Sequence, residues 1–429
     1  MRYGPLDPQL FIENRRNFVQ QLLPASMAIF HANDTMPTNA DGTMAFRQNN
    51  DLFYLSGVDQ EESILLLFPD AKLPQYREIL FLKETSEHIL IWEGYKLTKD
   101  EARANSGVRT ILWLDSFQQV LHALMNEAEN VYLNTNEHIR AVVEVETRDA
   151  RFIKEIKTKY PLHQYRRAAP LLHHLRAIKS QEEIRLMREA ANITEKAFRR
   201  LLGFVKPGVW EYEIEAEILH EFVRNRSRGP AYGSIIASGA SACILHYVSN
   251  DRQCQDGDVL LLDFGAEYGN YAADLSRSIP VNGTFTKRQR DVYEAVLSVM
   301  KFATSNLVAG NNIEDYHAAV GKHMEQELIK LDLLNEADVR NQDPAAPLYK
   351  KYFMHGTSHY LGLDVHDVGG KYRTFEPGMV YTCEPGIYIR EEGLGIRLEN
   401  DILITRSQPE DLMASIPLEV ADIEHLMGK

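Results

Sequence analysis

Through roughly the first 165 residues, short apolar runs alternate with amphipathic stretches. The runs Met27 to Phe30, Ile64 to Phe68, Ile79 to Leu82, Ile89 to Trp92 and Thr110 to Leu114 have strand length, whereas Lys99 to Asn105 and Phe117 to Glu129 carry helical spacing. That alternation predicts an α/β domain. The basic stretch with Arg166, Arg167 and Pro170 predicts a boundary, giving domains at residues 1–170 and 171–429.

The pattern then changes. Ser180-Gln-Glu-Glu183 is a capping box that predicts a helix through Arg200, with Ile184, Met187, Ala191, Ile193, Ala197 and Leu201 near helical spacing. Lys206-Pro207-Gly208 stops it, and a second amphipathic helix is expected from Glu211 to about Arg226. Thr286-Lys-Arg-Gln289 predicts a third helix, ending at Gly310. Strand-like runs lie between and after these helices, at 234–237, 259–264, 272–280, 379–383, 387–389 and 395–405. Helices segregated from antiparallel strands predict an α+β second domain.

Composition narrows the function classes. The formal charge of −14 disfavours nucleic-acid partners, whose binding rests on Lys and Arg neutralising phosphates. No 18-residue apolar run exists, and an N-terminus bearing Asp7, Glu13, Arg15 and Arg16 shows no signal-peptide core, so neither a membrane partner nor secretion is expected. Three cysteines without a C-x-x-C fit a reducing compartment, and a cytoplasmic location is expected.

An acidic surplus can also mark carboxylates gathered around a cation. In VLLLDFGAEYGNYAADLSRSIPV, two apolar strands flank a turn at Glu267 to Asn270, and Asp263 and Asp274 are equidistant from its centre. A regular hairpin would set them directly opposite, with Cβ atoms about 4.5 to 5.5 Å apart, a destabilising pairing unless a proton or cation is shared. A shifted register would instead turn one of them to solvent. Glu384 ends a strand-like run, and in GIRLENDILIT alternation puts Arg397, Glu399 and Asp401 on one face. Four such carboxylates and one neutral imidazole balance two divalent ions. Oxygen-rich ligation suits Mn²⁺, with Zn²⁺, Co²⁺ and Fe²⁺ as alternatives.

The imidazole would come from FMHGTSHYLGLDVHD, which holds His355, His359 and His366. The i, i+4 pair His355 and His359 invites comparison with the zinc helix H-E-x-x-H. No Glu stands between them, however, and Gly356 and Gly362 each cost a helix about 1 kcal/mol.

Together LDFGAEYGNYAADLSRSIP, HGTSHYLGLDVHD, EPGMVYTCEPGIYI and GIRLEND resemble, in order and spacing, the pita-bread metallopeptidases, the family of methionine aminopeptidase, aminopeptidase P and prolidase. FRQNNDLFYLSGVDQEESILLL and IWEGYKLTKDEA resemble the accessory N-terminal domain of aminopeptidase P. The resemblance implies a C-terminal pita-bread domain behind an α/β aminopeptidase P-type domain. It implies an Xaa-Pro aminopeptidase that acts on peptides with proline second, through a hydroxide bridging two metal ions, as a homodimer or homotetramer.

By the same resemblance the metal ligands are Asp263, Asp274, His359, Glu384 and Glu399, with Glu384 also the proton shuttle. His366 would polarise the scissile carbonyl and His246 would serve the leaving side. His355, Tyr232, Tyr388 and Arg397 would contact or frame substrate, with His355 toward the proline pocket; for all four a purely structural role competes. Two other functions stay in view. One is a prolidase-type dipeptidase, and the other is a noncatalytic pita-bread interaction protein, which retention of all five ligand types disfavours. Creatinase-like chemistry lacks these ligands.

Overall fold

The computed structural model describes residues 3–428; Met1, Arg2 and Lys429, the outermost residues of the two expected domains, lie outside the described residues. It comprises two compact units, Tyr3–Leu175 and a second beginning at Arg176. The expected boundary at residue 170 falls inside the helix Ala169–Arg176. Pro170 is tolerated there because the first turn of a helix has no partner for its N–H groups.

The first unit is built on one mixed sheet. Its strands are β1 (Ser26–His31), β2 (Ile64–Leu67), β3 (Glu78–Leu82), β4 (Thr110–Trp113), β5 (Asn130–Leu133) and β6 (Gln164–Arg167), in the order β4-β3-β2-β1-β5-β6. β1–β2 and β2–β3 are antiparallel, whereas β3–β4, β1–β5 and β5–β6 are parallel. All residues of β1 and β2 are buried, which is why these strands read as continuous apolar runs rather than alternating ones.

One expected strand is a helix. Ile89 to Trp92 lie in the helix Glu87–Glu93, whose N-cap Ser86 accepts a hydrogen bond from the Ile89 N–H at 3.2 Å. Leu90, Ile91 and Trp92 are 50%, 77% and 76% exposed, so this apolar run fills no sheet interior. A four-residue apolar run cannot by itself separate strand from helix, and the serine cap decides.

The second unit carries the α+β pattern. Both capping boxes form, at Ser180 on the helix Gln181–Phe204 and at Thr286 on the helix Lys287–Asn306. The latter stops at Asn306, short of the expected Gly310. Ile184, Met187, Ala191, Ile193, Ala197 and Leu201 are all buried, the last four of them in one core. Each such aliphatic side chain of Leu, Ile or Met size contributes about 1.5–3 kcal/mol relative to exposure.

The strands of this unit are short and antiparallel. β7 (Ile235–Ser238), β8 (Val259–Asp263), β9 (Glu267–Tyr268), β10 (Tyr271–Ala272) and β11 (Ser276–Pro280) form a sheet in the order β11-β8-β7 with the small ribbon β9–β10 at its end. β12 (Val380–Cys383), β13 (Gly386–Ile389), β14 (Leu394–Arg397), β15 (Asn400–Leu403) and β16 (Glu410–Asp411) pair as β12-β15-β16 and β13-β14. The run 395–405, read as one strand, is therefore two strands broken at Leu398 and Glu399, each with its own partner.

The long helix supports the hairpin that matters most. Glu183, already committed to the capping box, accepts a hydrogen bond from Tyr271 at 2.9 Å, and Thr194 Oγ1 accepts one from the Ala266 N–H at 2.9 Å. No helix among the described residues is long and apolar enough to cross a membrane. Cys243, Cys254 and Cys383 are all free thiols.

Candidate metal centre

The hairpin turns on Gly269 and Asn270, with φ of 59° and 67°. Two consecutive positive φ values make the tight turn whose twist matches flanking strands, and glycine and asparagine adopt them most easily. Tyr268 pairs with Tyr271, and the same register carries on to set Asp263 opposite Ser276.

The expected face-to-face pairing of Asp263 with Asp274 is therefore corrected. The turn is centred one residue beyond the middle of Glu267 to Asn270, and the register sets Asp274 against Gly265. At Gly265 a Cβ would lie 1.7 Å from the Ala273 carbonyl oxygen, so only glycine fits. The two aspartates are diagonal neighbours on one face. They still converge, because the Tyr232 hydroxyl lies 2.6 Å from Asp263 Oδ1 and 2.5 Å from Asp274 Oδ1. A phenol has one proton and can donate to only one of them at a time.

Glu399 joins them at the strand break. It forms an isolated bridge with Ser276, its N–H donating to the Ser276 carbonyl at 3.0 Å, and the Ser276 hydroxyl donates to Glu399 Oε2 at 2.7 Å. Arg397 closes the corner, donating to Asp263 Oδ2 at 2.5 Å, Ser276 Oγ at 2.8 Å and the Tyr388 hydroxyl at 3.0 Å. Arg277, fully buried, donates to the main-chain carbonyls of Ser276 and Glu399 and to that of Pro417.

Glu384 and His359 complete the ring. Glu384 follows β12, its N–H donating to the Thr357 carbonyl, and its Oε1 stands 3.6 Å from His359 Nε2. His359 Nε2 is also 3.5 Å from Asp274 Oδ2, while its Nδ1 donates to the Tyr360 carbonyl at 2.9 Å. That donation fixes the tautomer and leaves Nε2 with a lone pair aimed among carboxylates. Asp274, His359 and Glu399 offer ligand atoms within 4.8 Å of one another.

The electrostatics fit a cation. Burial first, and the neighbouring acids second, push the carboxyls of Asp274, Glu384 and Glu399 well above their ordinary range. Arg397 offsets this only in part. Positive charge placed between the carboxylates would relieve both causes, and an oxygen-rich donor set with one imidazole is what hard or borderline divalent ions take.

The other expected residues lie around this ring. His355 donates from Nδ1 to the Gly356 carbonyl at 2.9 Å and accepts at Nε2 from the Tyr388 hydroxyl at 2.8 Å, which in turn accepts from Arg397. Burial, reinforced by Arg397, lowers its pKa to about 4, so it is neutral. His366 is exposed and stands edge to face on His359, with ring centroids 4.4 Å apart. His246 is exposed on the loop after β7 and makes no hydrogen bond among the described residues, though its charge contributes to the depression of His355. The neighbouring Tyr247 anchors that loop by donating to the buried Glu211 at 2.8 Å.

Three participants escaped the sequence reading. Ser276 is an ordinary strand residue until the register sets it opposite Asp263. Arg277 is buried, holding main-chain carbonyls and the Asn400 side chain. Asp401 was placed on the Glu399 face but given no task; its Oδ2 accepts the Asp274 N–H at 3.2 Å.

Comparison with known proteins places these features. Residues 185–406 match the family model of Metallopeptidase family M24, and residues 11–132 match that of the aminopeptidase P N-terminal domain. The chain is 36% identical over 435 residues to the Xaa-Pro aminopeptidase of Escherichia coli strain K12, covering 98% of this chain and 97% of that protein. It is similar in structure to an alanine variant of E. coli aminopeptidase P in complex with substrate (TM-score 0.87, 35% identity, 99% of both chains). The likeness to proline aminopeptidase P II from Yersinia pestis is equal in TM-score at 0.87, with 34% identity over 98% of this chain and 99% of that one.

Proposed function

The chain belongs to metallopeptidase family M24, with an aminopeptidase P N-terminal domain ahead of the peptidase domain, and from that premise we propose that it removes the N-terminal residue from peptides whose second residue is proline. It is a metal-dependent exopeptidase, and the family's fold, α+β behind an α/β domain, is the one described above. The observation that carries the reading is the convergence of Asp263, Asp274, His359, Glu384 and Glu399 in one acidic, largely buried ring. As proposed ligands, these five would hold two divalent ions, with Mn²⁺ the candidate best matched to an oxygen-rich set. Such ions, when bound, supply an acidified water and polarise a carbonyl oxygen.

The protein's own residues would do the rest. Glu384 is only part-buried, and its carboxyl, raised by burial and by Glu399, can take a proton from the attacking water and release it toward the leaving nitrogen. His366, exposed on the rim, would donate to the carbonyl oxygen as charge develops there. His246, on the exposed loop, would serve the proline nitrogen, which carries no N–H of its own and must acquire a proton to leave. Burial, reinforced by Arg397, keeps His355 neutral, and the relay from Asp263 through Arg397 and Tyr388 orients it, so it would present an uncharged wall to the proline ring. Tyr232 would keep Asp263 and Asp274 in register with each other.

We further propose a cytoplasmic protein, in keeping with three free thiols, that works as a homodimer or homotetramer. The test is a cleavage assay with Mn²⁺ added after chelation, on Xaa-Pro-Yaa tripeptides and Xaa-Pro dipeptides. Release of Xaa from the tripeptides supports the proposal. Cleavage confined to the dipeptides would make the protein a prolidase instead.

A further inference from the structure

Behind His366 lies a cluster of charges that the reaction does not use. The Asp367 carboxylate, its side chain 1% exposed, receives Arg176 Nη2 on Oδ1 at 2.6 Å and Lys179 Nζ on Oδ2 at 3.2 Å. The Arg176 and Lys179 side chains are themselves 4% and 1% exposed. Arg176 Nη2 reaches Asp364 as well, at 2.9 Å. Burial pushes the Asp367 carboxyl up, but the two cations outweigh it and hold it below the ordinary range.

Stability alone is a weak reason for such a cluster. Burying an ion costs several kcal/mol, and apolar side chains of similar volume often do as well or better. What charged, hydrogen-bonded groups supply is direction. The loop from His359 to Asp367 shows where direction is needed. Its first part is pinned to β12 by the Thr382 N–H donating to the His359 carbonyl and the Leu361 N–H donating to Val380. Its middle is pinned by the Ala272 N–H donating to Gly362. Beyond that the chain swings out through exposed Asp364 and His366 and is caught again at Asp367, whose N–H donates to the Tyr360 carbonyl at 2.9 Å. The carboxylate then packs on Gly362, where a Cβ would stand 2.1 Å from Asp367 Oδ2.

We propose that Asp367, clamped between Arg176 and Lys179, is the positioning residue that aims the His366 imidazole across His359 toward the reacting carbonyl. This rests on the reading of His366 given above. A half-turn of Asp367 would carry its neighbour off the 4.4 Å edge-to-face contact, and hydrogen-bond donation to a developing oxyanion tolerates little misplacement.

The test is a cycle of four proteins assayed on an Xaa-Pro-Yaa peptide: wild type, Asp367→Asn, His366→Ala and the double variant. Asp367→Asn should lower kcat by about tenfold to a hundredfold, with KM and metal content nearly unchanged, the range typical of groups that orient catalytic ones. In the His366→Ala background the same substitution should cost almost nothing more, because the group it aims is gone. A folded Asp367→Asn protein with wild-type kcat would overturn the proposal, as would an equal proportional loss in both backgrounds. Should Asp367→Asn fail to fold, with Arg176 and Lys179 left facing each other, Lys179→Met keeps the Arg176–Asp367 pair and carries the same cycle. A smaller fall that vanishes without His366 supports the proposal, and wild-type kcat refutes it. Full activity in His366→Ala would defeat the assignment of His366 itself, and this inference with it, whereas an impaired His366→Ala beside a normal Asp367→Asn would defeat only the inference.

Discussion

Arg397 and Asp263 form a buried ion pair, Nη2 to Oδ2 at 2.5 Å, at the corner where β8 meets β14. The guanidinium simultaneously grips Ser276 and Tyr388, so it neutralises one acid while orienting the partners of Glu399 and His355. Arg397→Met should lower the stability of the metal-free protein by about 3–5 kcal/mol in urea denaturation, the cost of leaving a buried charge without its partner. Saturating Mn²⁺ should recover part of that loss. No recovery would mean the pair supports the fold and not the acidic ring.

Loading the ring with metal should expel protons. In the metal-free protein Asp274, Glu384 and Glu399 have carboxyls raised above their unfolded range, by burial first and by one another second. Groups of this kind contribute stability at low pH that is lost as pH rises through their folded values. The chelated protein should therefore fall further below the Mn²⁺-loaded protein in Tm as pH goes from 5 to 8, and metal added to weakly buffered apoprotein should acidify it. A Tm gap independent of pH, with no acidification, would contradict the assigned electrostatics.

Acid sensitivity of the opposite sign should come from His317, on the helix Ile313–Lys330 beside Gly356. Burial, with Lys371 second, lowers its pKa from 6.5 to about 4, and its Nε2 is buried without a hydrogen-bond partner among the described residues. Between those values the unfolded chain binds the proton and the folded one does not, so stability is full above pH 6.5 and falls toward pH 4. At pH 5 the loss is roughly 2 kcal/mol. His317→Gln should flatten the Tm profile between pH 7 and 5, leaving a residual slope from His355. An unchanged slope would exclude His317 as its source.

Gly265→Ala should be among the most damaging single-methyl additions in the protein. The new Cβ meets the Ala273 carbonyl oxygen at 1.7 Å, and that atom is backbone in a paired ribbon. Overpacking commonly costs 1–3 kcal/mol, and the upper end, about 3 kcal/mol, is expected here, together with weakened metal binding through Asp274. Thermal melting with and without Mn²⁺ measures both, and a wild-type Tm would show the hairpin to be far softer than its register implies.

Chemistry was easier to read from the sequence than geometry. Apolar runs located β1 to β4, the first three because nearly every position in them is buried, and capping boxes located two helix starts because Ser180 and Thr286 satisfy orphan N–H groups within their own sequence neighbourhood. The run at Ile89 misled because apolar character without period does not choose between strand and helix. The Asp263–Asp274 register misled because it hangs on two φ angles at Gly269 and Asn270, and a shift of one residue in the turn's centre moves every opposite number. Of Arg397, Glu399 and Asp401, read by alternation onto one face, the first two meet at Ser276 Oγ although the strand breaks at Leu398. Ser276, Arg277 and Asp401 draw their meaning from partners more than 100 positions away, and no local pattern announces such contacts.

The bridge between Ser276 and Glu399, fastened by Arg277 to the carbonyl of Pro417, also has a bearing on biosynthesis. A ribosome making this chain delivers the first two acids of the ring, Asp263 and Asp274, well before Glu399, and the clamp on Glu399 closes only after Pro417 has followed it. A nascent chain shorter than that holds part of the acidic ring but not the contacts that fix its last member, so the ring takes its final form late in the order of synthesis.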